Sequence, residues 1–371
     1  MSHNFSVVIV GAGIVGCSVA YELARRGLRV LVLDRREVGQ GATKASAGIL
    51  APFIEAHDRG LLLELTSRSL GLYDEFVANV VEDSGAVVQY VRTGTLEIAT
   101  DHGGLARVEA IHKTCLEYGF SSALLDVDSV QQIEPHLSRS VLGGVVVEAH
   151  GFVGASDLTA ALHRAAITHG VKFETTVAAT RITRNGSGIS IETTTNRYAC
   201  DSAVMAAGSW SGCVDVEGAI PIPIRPVRGQ LLHLGWSLRA LSRVLWAPGC
   251  YLVPWKDGSV LVGATVEEVG FDERATVKGV RTLIDKAQRV IPKVAEATFR
   301  EARVGLRPAT PDDLPVIGPS VSVPGLVYAC GHFRNGILLA PLTAALVSDL
   351  VTKQISDSAF KVTTPARFGE C

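Results

Sequence analysis

The chain has 371 residues, of which 47% are hydrophobic and 19% charged. That supplies about two domains with sizeable cores and excludes both a short module and a disordered chain. Thirty-five Lys and Arg against 37 Asp and Glu leave a formal charge of −2, so no basic excess exists to hold a phosphate backbone, and nucleic acid is excluded as the main partner.

Residues 5–10 (FSVVIV) are short, β-branched and bounded by glycine, and predict a buried strand. The opening lacks the basic n-region of a signal peptide. Residues 14–26 predict a helix closed by Gly27, and 29–33 a second buried strand ending at Asp34. The three make a βαβ unit with a parallel strand pair. Its turn reads Gly11-Ala12-Gly13-Ile14-Val15-Gly16. Gly11 permits the tight turn, Gly13 lets a pyrophosphate approach the positive helix N-terminus, and Gly16 lets the helix pack on the sheet. Asp34 stands where a carboxylate accepts ribose hydroxyls. Strand, glycines, helix, strand and acid together predict a dinucleotide. Asp34 disfavours a 2′-phosphorylated ribose, although Arg35 and Arg36 would tolerate one. The small-residue stretch Gly39 to Gly48 extends the same groove.

Further along, 61–80 and 104–118 predict helices. Residues 94–99, 171–183 and 188–194 alternate as strands do, with Asn185-Gly186 as a turn. Residues 202–207 predict a buried strand ending at Gly208. Prolines at 221–226 and 308–315 mark chain crossings. Residues 227–234, 250–254 and 259–265 are strand-like, 274–291 an amphipathic helix, 326–330 a late strand and 337–352 a late helix. No apolar run reaches the about 20 residues of a membrane span. The polar turn His332-Phe333-Arg334-Asn335-Gly336 leads into the late helix through Ile337 and Leu338. Unpaired N–H groups at such an end can stabilise the negative charge of a reduced flavin. Dinucleotide features at both ends predict an interleaved α/β plus α+β fold. Segments 1–85, 145–218 and 300–371 form the nucleotide domain; 86–144 and 219–299 form an antiparallel-sheet substrate domain. Seven cysteines, odd in number and without a CxxC pair, indicate neither a disulfide framework nor a zinc knuckle. They fit a reducing cytoplasm, and no metal site is expected.

The nucleotide motif, GATKASAG, AAGSWSG (206–212), CYLVP (250–254), VGATV (262–266), VGLRPATPD (304–312) and CGHFRNGILLAP (330–341) occur in the order found in bacterial glycine oxidases, which are FAD enzymes of the D-amino acid oxidase family. The resemblance spans essentially the whole chain. It implies FAD, with Asp34 on the adenosine ribose and Ile14, Val15, Arg35, Ala42, Thr43, Ala47, Gly48 and Ile49 in contact with the cofactor. It implies that the Val177 backbone faces the adenine and that His332 to Leu338 wrap the flavin. It also implies that Arg307 grips a substrate carboxylate with help from Tyr251, and that Arg334 lies near the same pocket. Residue spacing alone slightly favours a protein salt bridge for Arg307, which sits in an apolar stretch where an unpaired guanidinium is costly. The planar fork suits a substrate carboxylate equally well.

Sarcosine oxidases of the superfamily attach flavin through a cysteine shortly before the segment matching Thr310-Pro311-Asp312. No cysteine lies between Cys250 and Cys330, so the FAD is expected to be non-covalent. No acid–base residue is expected, and His332 reads as a turn residue. The resemblance implies oxidation of a small amine carrying a carboxylate, with molecular oxygen as acceptor, and leaves room for a homo-oligomer. Ile49 and Val266 stand where methionines occur in the family, and Gly249 where a histidine occurs. Together with Arg243 as a second positive charge, they predict room for an N-substituted glycine, such as sarcosine or an N-carboxymethyl amino acid. The alternatives are a D-amino acid dehydrogenase using a non-oxygen acceptor and an electron-relay flavoprotein subunit.

Overall fold

The structure is a computed structural model, which describes residues 5–55, 60–186, 188–236, 241–255, 257–353 and 357–371. Three sheets organise these residues. In the first, β1 (Phe5–Val10) lies between β2 (Val30–Leu33) and the Arg197–Met205 strand, parallel to both. Leu326–Cys330 adds a further parallel strand beside Arg197–Met205. The strand period of two sends alternate β1 side chains into two cores. Val7 and Ile9 pack with the helices Ile14–Arg25, Ala155–Thr168 and Ala340–Val351. Val8 and Val10 join Leu31, Leu33, Met205 and Tyr328 on the other face.

The second sheet runs Thr298–Ala309, Arg225–Gly235, Val260–Gly263, Cys250–Pro254, Val244–Ala247, Thr95–Ala99, Gly143–Val147, Ser122–Leu125. It is antiparallel except where Val244–Ala247 meets Thr95–Ala99. The third sheet is small and joins Ile49–Leu50, Gly151–Val153 and Tyr90–Val91. The chain therefore passes from the first sheet to the second, back, out again and home. The expected boundary at 145 falls inside the Gly143–Val147 strand. That at 300 falls inside Thr298–Ala309, which pairs along its length with Arg225–Gly235, so the second sheet extends to Ala309.

Several expected elements differ. The 61–80 helix is two, Leu61–Gly71 and Tyr73–Ser84, broken at Leu72. The break follows a glycine and leaves Tyr73 buried, with its hydroxyl on the Ile337 carbonyl at 2.5 Å. The 171–183 strand is also two, Lys172–Glu174 beside β2 and Ala179–Asn185 in an antiparallel pair. Between them Thr176 takes φ 60°, and Val177 N–H donates to the Asp34 carbonyl at 2.8 Å. The late helix begins at Ala340 rather than 337. The Ala155–Thr168 helix has no counterpart among the sequence expectations. Its buried face is Ala155, Leu158, Ala161, Leu162, Ala165 and Ala166, a helical period written mostly in alanine.

Candidate active site

A cavity of about 380 Å³ runs from the β1 turn to the face of the second sheet. Its nucleotide end is shaped by backbone. Gly11 has φ 114°, and a Cβ there would lie 2.3 Å from the Ala206 carbonyl oxygen. Gly48, at φ 70°, would place a Cβ 1.7 Å from the Val153 oxygen. The Ile14 N–H, in the first turn of the helix, donates to Thr43 Oγ1 at 3.1 Å. No acidic residue stands in that first turn, which leaves its positive end for an anion. Asp34 Oδ2 accepts from Ala12 N–H at 2.6 Å and Oδ1 from Arg36 N–H at 2.8 Å. Burial pushes the Asp34 carboxyl up, against these two bonds. Arg35 and Arg36 both lie over the Trp210 ring, at 5.3 and 4.6 Å. Arg36 also pairs with Glu273, at 3.0 and 2.6 Å.

The late turn closes the cavity from the far side. Phe333 adopts φ 47° and its N–H donates to the Pro308 carbonyl at 2.9 Å. The N–H groups of Gly336, Ile337 and Leu338 find no acceptor among the described residues. Gly336 and Ile337 line the cavity. His332 is buried; its Nε2 lies 2.9 Å from Thr343 Oγ1, and burial lowers its pKa to about 4, keeping the ring neutral.

The second sheet supplies the other end. Arg307 Nη1 donates to the carbonyls of Thr265 at 3.0 Å and Arg228 at 3.5 Å. Among the described residues no carboxylate forms an ion pair with it, so the protein salt bridge favoured by spacing is absent there. Desolvation pulls its pKa down, the mark of a cation held short of an anion. Two glycines make the berth. Gly229 is two residue pairs away on the adjacent strand, and a Cβ there would lie 2.4 Å from the Arg307 guanidinium. Gly263, directly opposite Tyr251, would place one 2.3 Å from the Tyr251 hydroxyl. Burial pushes the Tyr251 phenol up, and its ring leans on Trp246 at 5.1 Å. Arg334 Nε stands 3.0 Å from Glu55 Oε2.

Of the residues singled out in the sequence, the cavity brings together Gly11, Gly13, Ile14, Val15, Asp34, Arg35, Ala42, Thr43, Ala47, Gly48, Ile49, Val177, Gly208, Tyr251, Arg307, His332, Phe333, Arg334, Gly336 and Ile337. Others do not line it. Gly16 packs under the turn, where a Cβ would meet the Gly11 oxygen at 1.9 Å. Asn335 is buried and forms the turn itself, its carbonyl accepting from Leu339 N–H at 2.8 Å. Leu338 is core, and its carbonyl accepts from Ser69 Oγ at 2.7 Å. Arg243 stays outside the cavity, with Nε 3.5 Å from Ser242 Oγ at the surface. The room expected beyond the amine is corrected too. Val266 is 60% exposed, and Gly249 sits in an exposed turn beside Lys286. Only Ile49 of the three faces the cavity. Sequence reasoning missed Glu55, Gly229, Gly263 and Trp210. Glu55 carried a signal: it is a lone acid in the apolar run ILAPFIEA, as Arg307 is a lone base in VGLRPA.

The family model described as FAD dependent oxidoreductase matches residues 6–350. The chain is 31% identical to a glycine oxidase of Geobacillus kaustophilus over 95% of this chain and 94% of that protein. The crystal structure of a glycine oxidase from that organism superposes with a TM-score of 0.95, covering 99% of both chains at 30% identity. A bifunctional protein ThiO/ThiG of Synechocystis is 34% identical over 99% of this chain, which spans 55% of that longer protein. The structure of an iminodiacetate oxidase from Chelativorans has a TM-score of 0.87 at 25% identity, covering 97% of this chain and 98% of that one.

Proposed function

The chain belongs to the FAD dependent oxidoreductase family, and from that premise we propose that it oxidises glycine or an N-substituted glycine to glyoxylate and an amine, with oxygen as the electron acceptor. The observation that carries this reading is Arg307, a guanidinium in the cavity whose hydrogen-bond partners among the described residues are carbonyls, beside the Tyr251 hydroxyl. A fork held this way takes a carboxylate in two parallel hydrogen bonds. The nucleotide end fits FAD: glycines admit close backbone approach, and the free N–H groups of the late turn suit an anionic ring edge. When bound, FAD supplies the acceptor for the hydride that leaves the substrate Cα.

The protein's part is to orient. Arg307 and Tyr251 fix the carboxylate, and Ile49 offers an apolar contact for a substituent. Likeness to the iminodiacetate oxidase supports a secondary amine as substrate. With Val266, Gly249 and Arg243 outside the cavity, the case for an N-substituent rests on Ile49 and that likeness. No cysteine lies between Cys250 and Cys330, which supports non-covalent FAD.

The test is peroxide and glyoxylate release by the purified yellow protein with glycine, sarcosine, iminodiacetate, D-alanine and a carboxylate-free amine. Highest kcat/KM on a glycine-type amine is expected, with all colour released by acid precipitation. Equal turnover of the carboxylate-free amine would overturn the reading.

A further inference from the structure

The substrate end of the cavity is rich in groups that donate and poor in groups that accept. Arg307, Arg334 and Tyr251 are donors. His332 is engaged with Thr343 at 2.9 Å. Two carboxylates line the cavity among the described residues. Asp34 is at the nucleotide end and already accepts two backbone bonds. The other is Glu55, the last residue of the Pro52–Glu55 turn of helix.

The Glu55 side chain is 11% exposed. Its Oε2 lies 3.0 Å from Arg334 Nε in an ion pair, and among the described residues no donor hydrogen is aligned on it. The contact is therefore one of charge, off the N–H direction, and an acceptor lone pair stays unused. A buried carboxylate oxygen met by charge alone keeps a lone pair for a further partner. Arg107 holds the turn that carries it. Its Nη2 donates to the Ile54 carbonyl at 3.2 Å, and its Nε to Glu97 Oε1 at 2.5 Å.

An amino acid arrives in water as an ammonium carboxylate. Its α-hydrogen cannot leave as hydride until nitrogen has a free lone pair to form the imine. One proton must first leave nitrogen, and the donors around it cannot take that proton. We propose that Glu55 is the base that receives this proton, so that the enzyme binds its amine in the charged form and deprotonates it inside the cavity. In this step one N–H bond breaks, its electron pair stays on nitrogen, and an O–H bond forms on Glu55; nothing is oxidised or reduced. The proposal rests on the amine-oxidation reading above.

The charges around Glu55 bear on its titration. Arg334 from the late turn, Arg307 from the Thr298–Ala309 strand and Arg107 from the His102–Glu117 helix favour the carboxylate. Burial opposes them and prevails, raising the carboxyl toward the range of a useful base. Tyr251 feels the same carboxylate. The Leu61–Gly71 helix packs near this turn through Leu63. Its Glu64 and Arg68 are exposed, Arg68 paired with Asp357.

The experiment measures kcat/KM against pH for the best glycine-type amine, using holoenzyme of wild type, Glu55→Gln and Glu55→Asp. Acetate, a carboxylate without nitrogen, is titrated in parallel by its effect on the flavin spectrum. Glu55→Gln is expected to lose about 10²–10⁴-fold at neutral pH. That deficit shrinks about tenfold per pH unit as free amine accumulates, and acetate affinity stays within about threefold. Glu55→Asp recovers part of the loss. An unchanged pH profile in Glu55→Gln overturns the proposal alone. So does a pH-independent loss accompanied by equal loss of acetate affinity, which marks a structural role. A wild-type enzyme that oxidises no glycine-type amine overturns both the proposal and the reading beneath it.

Discussion

Arg307 is held by carbonyl oxygens, and this decides what its removal does. Replacing a charge that pairs with a desolvated carboxylate costs about 2–5 kcal/mol. Arg307→Ala should retain FAD and lose about 10²–10³-fold in kcat/KM, mostly through KM; steady-state kinetics on the yellow variant checks this. Gly229 offers a subtler probe. The atoms nearest a methyl there belong to the far end of the Arg307 side chain, at 2.4 Å. The guanidinium is flexible enough to yield, so Gly229→Ala should fold with a melting temperature close to wild type. The fork would be displaced by about 1 Å, and such a misplacement can cost about 100-fold. A variant with normal kcat/KM would show that the fork tolerates displacement.

At the scale of elements, turns at the ends of strands repeatedly make the site. Gly48 is the sharpest case, since its Cβ would meet backbone rather than a movable side chain. Gly48→Ala should lose at least about 1–3 kcal/mol from backbone conformation alone, read as a lower melting temperature and weaker FAD retention. The βαβ unit was legible because its signals are local: apolar runs, three glycines and an acid fall within one short stretch. The break at Thr176 was not, because strand alternation continues through it, and only Asp34, distant in sequence, calls Val177 to its place. The Ala155–Thr168 helix escaped because alanine gives a weak periodic signal. Arg307 and Tyr251 were found, but their berths were not. Gly229 and Gly263 acquire meaning only through cross-strand register. Val266 and Gly249 were misplaced for the same reason: nearness in sequence to a site strand does not fix which face a residue takes.

Over the whole molecule, the Arg36–Glu273 pair ties the nucleotide end to the loop following Val260–Gly263. Both side chains are part-exposed, so the pair is worth only about 0.2–1 kcal/mol and is screened by salt. Glu273→Gln should therefore weaken FAD retention by no more than about fivefold at low salt. At about 1 M salt the difference from wild type should vanish, as followed by flavin fluorescence on dilution.

The path of the chain between the first and second sheets bears on how such an enzyme changes substrate over time. The first sheet and the second each draw on separated stretches of the chain. No single genetic exchange can graft one sheet onto another. A crossover within the chain swaps parts of both sheets and leaves strands such as Thr298–Ala309 facing unfamiliar neighbours. New specificity must therefore come through substitutions at the rim of the cavity, while the two sheets are inherited together.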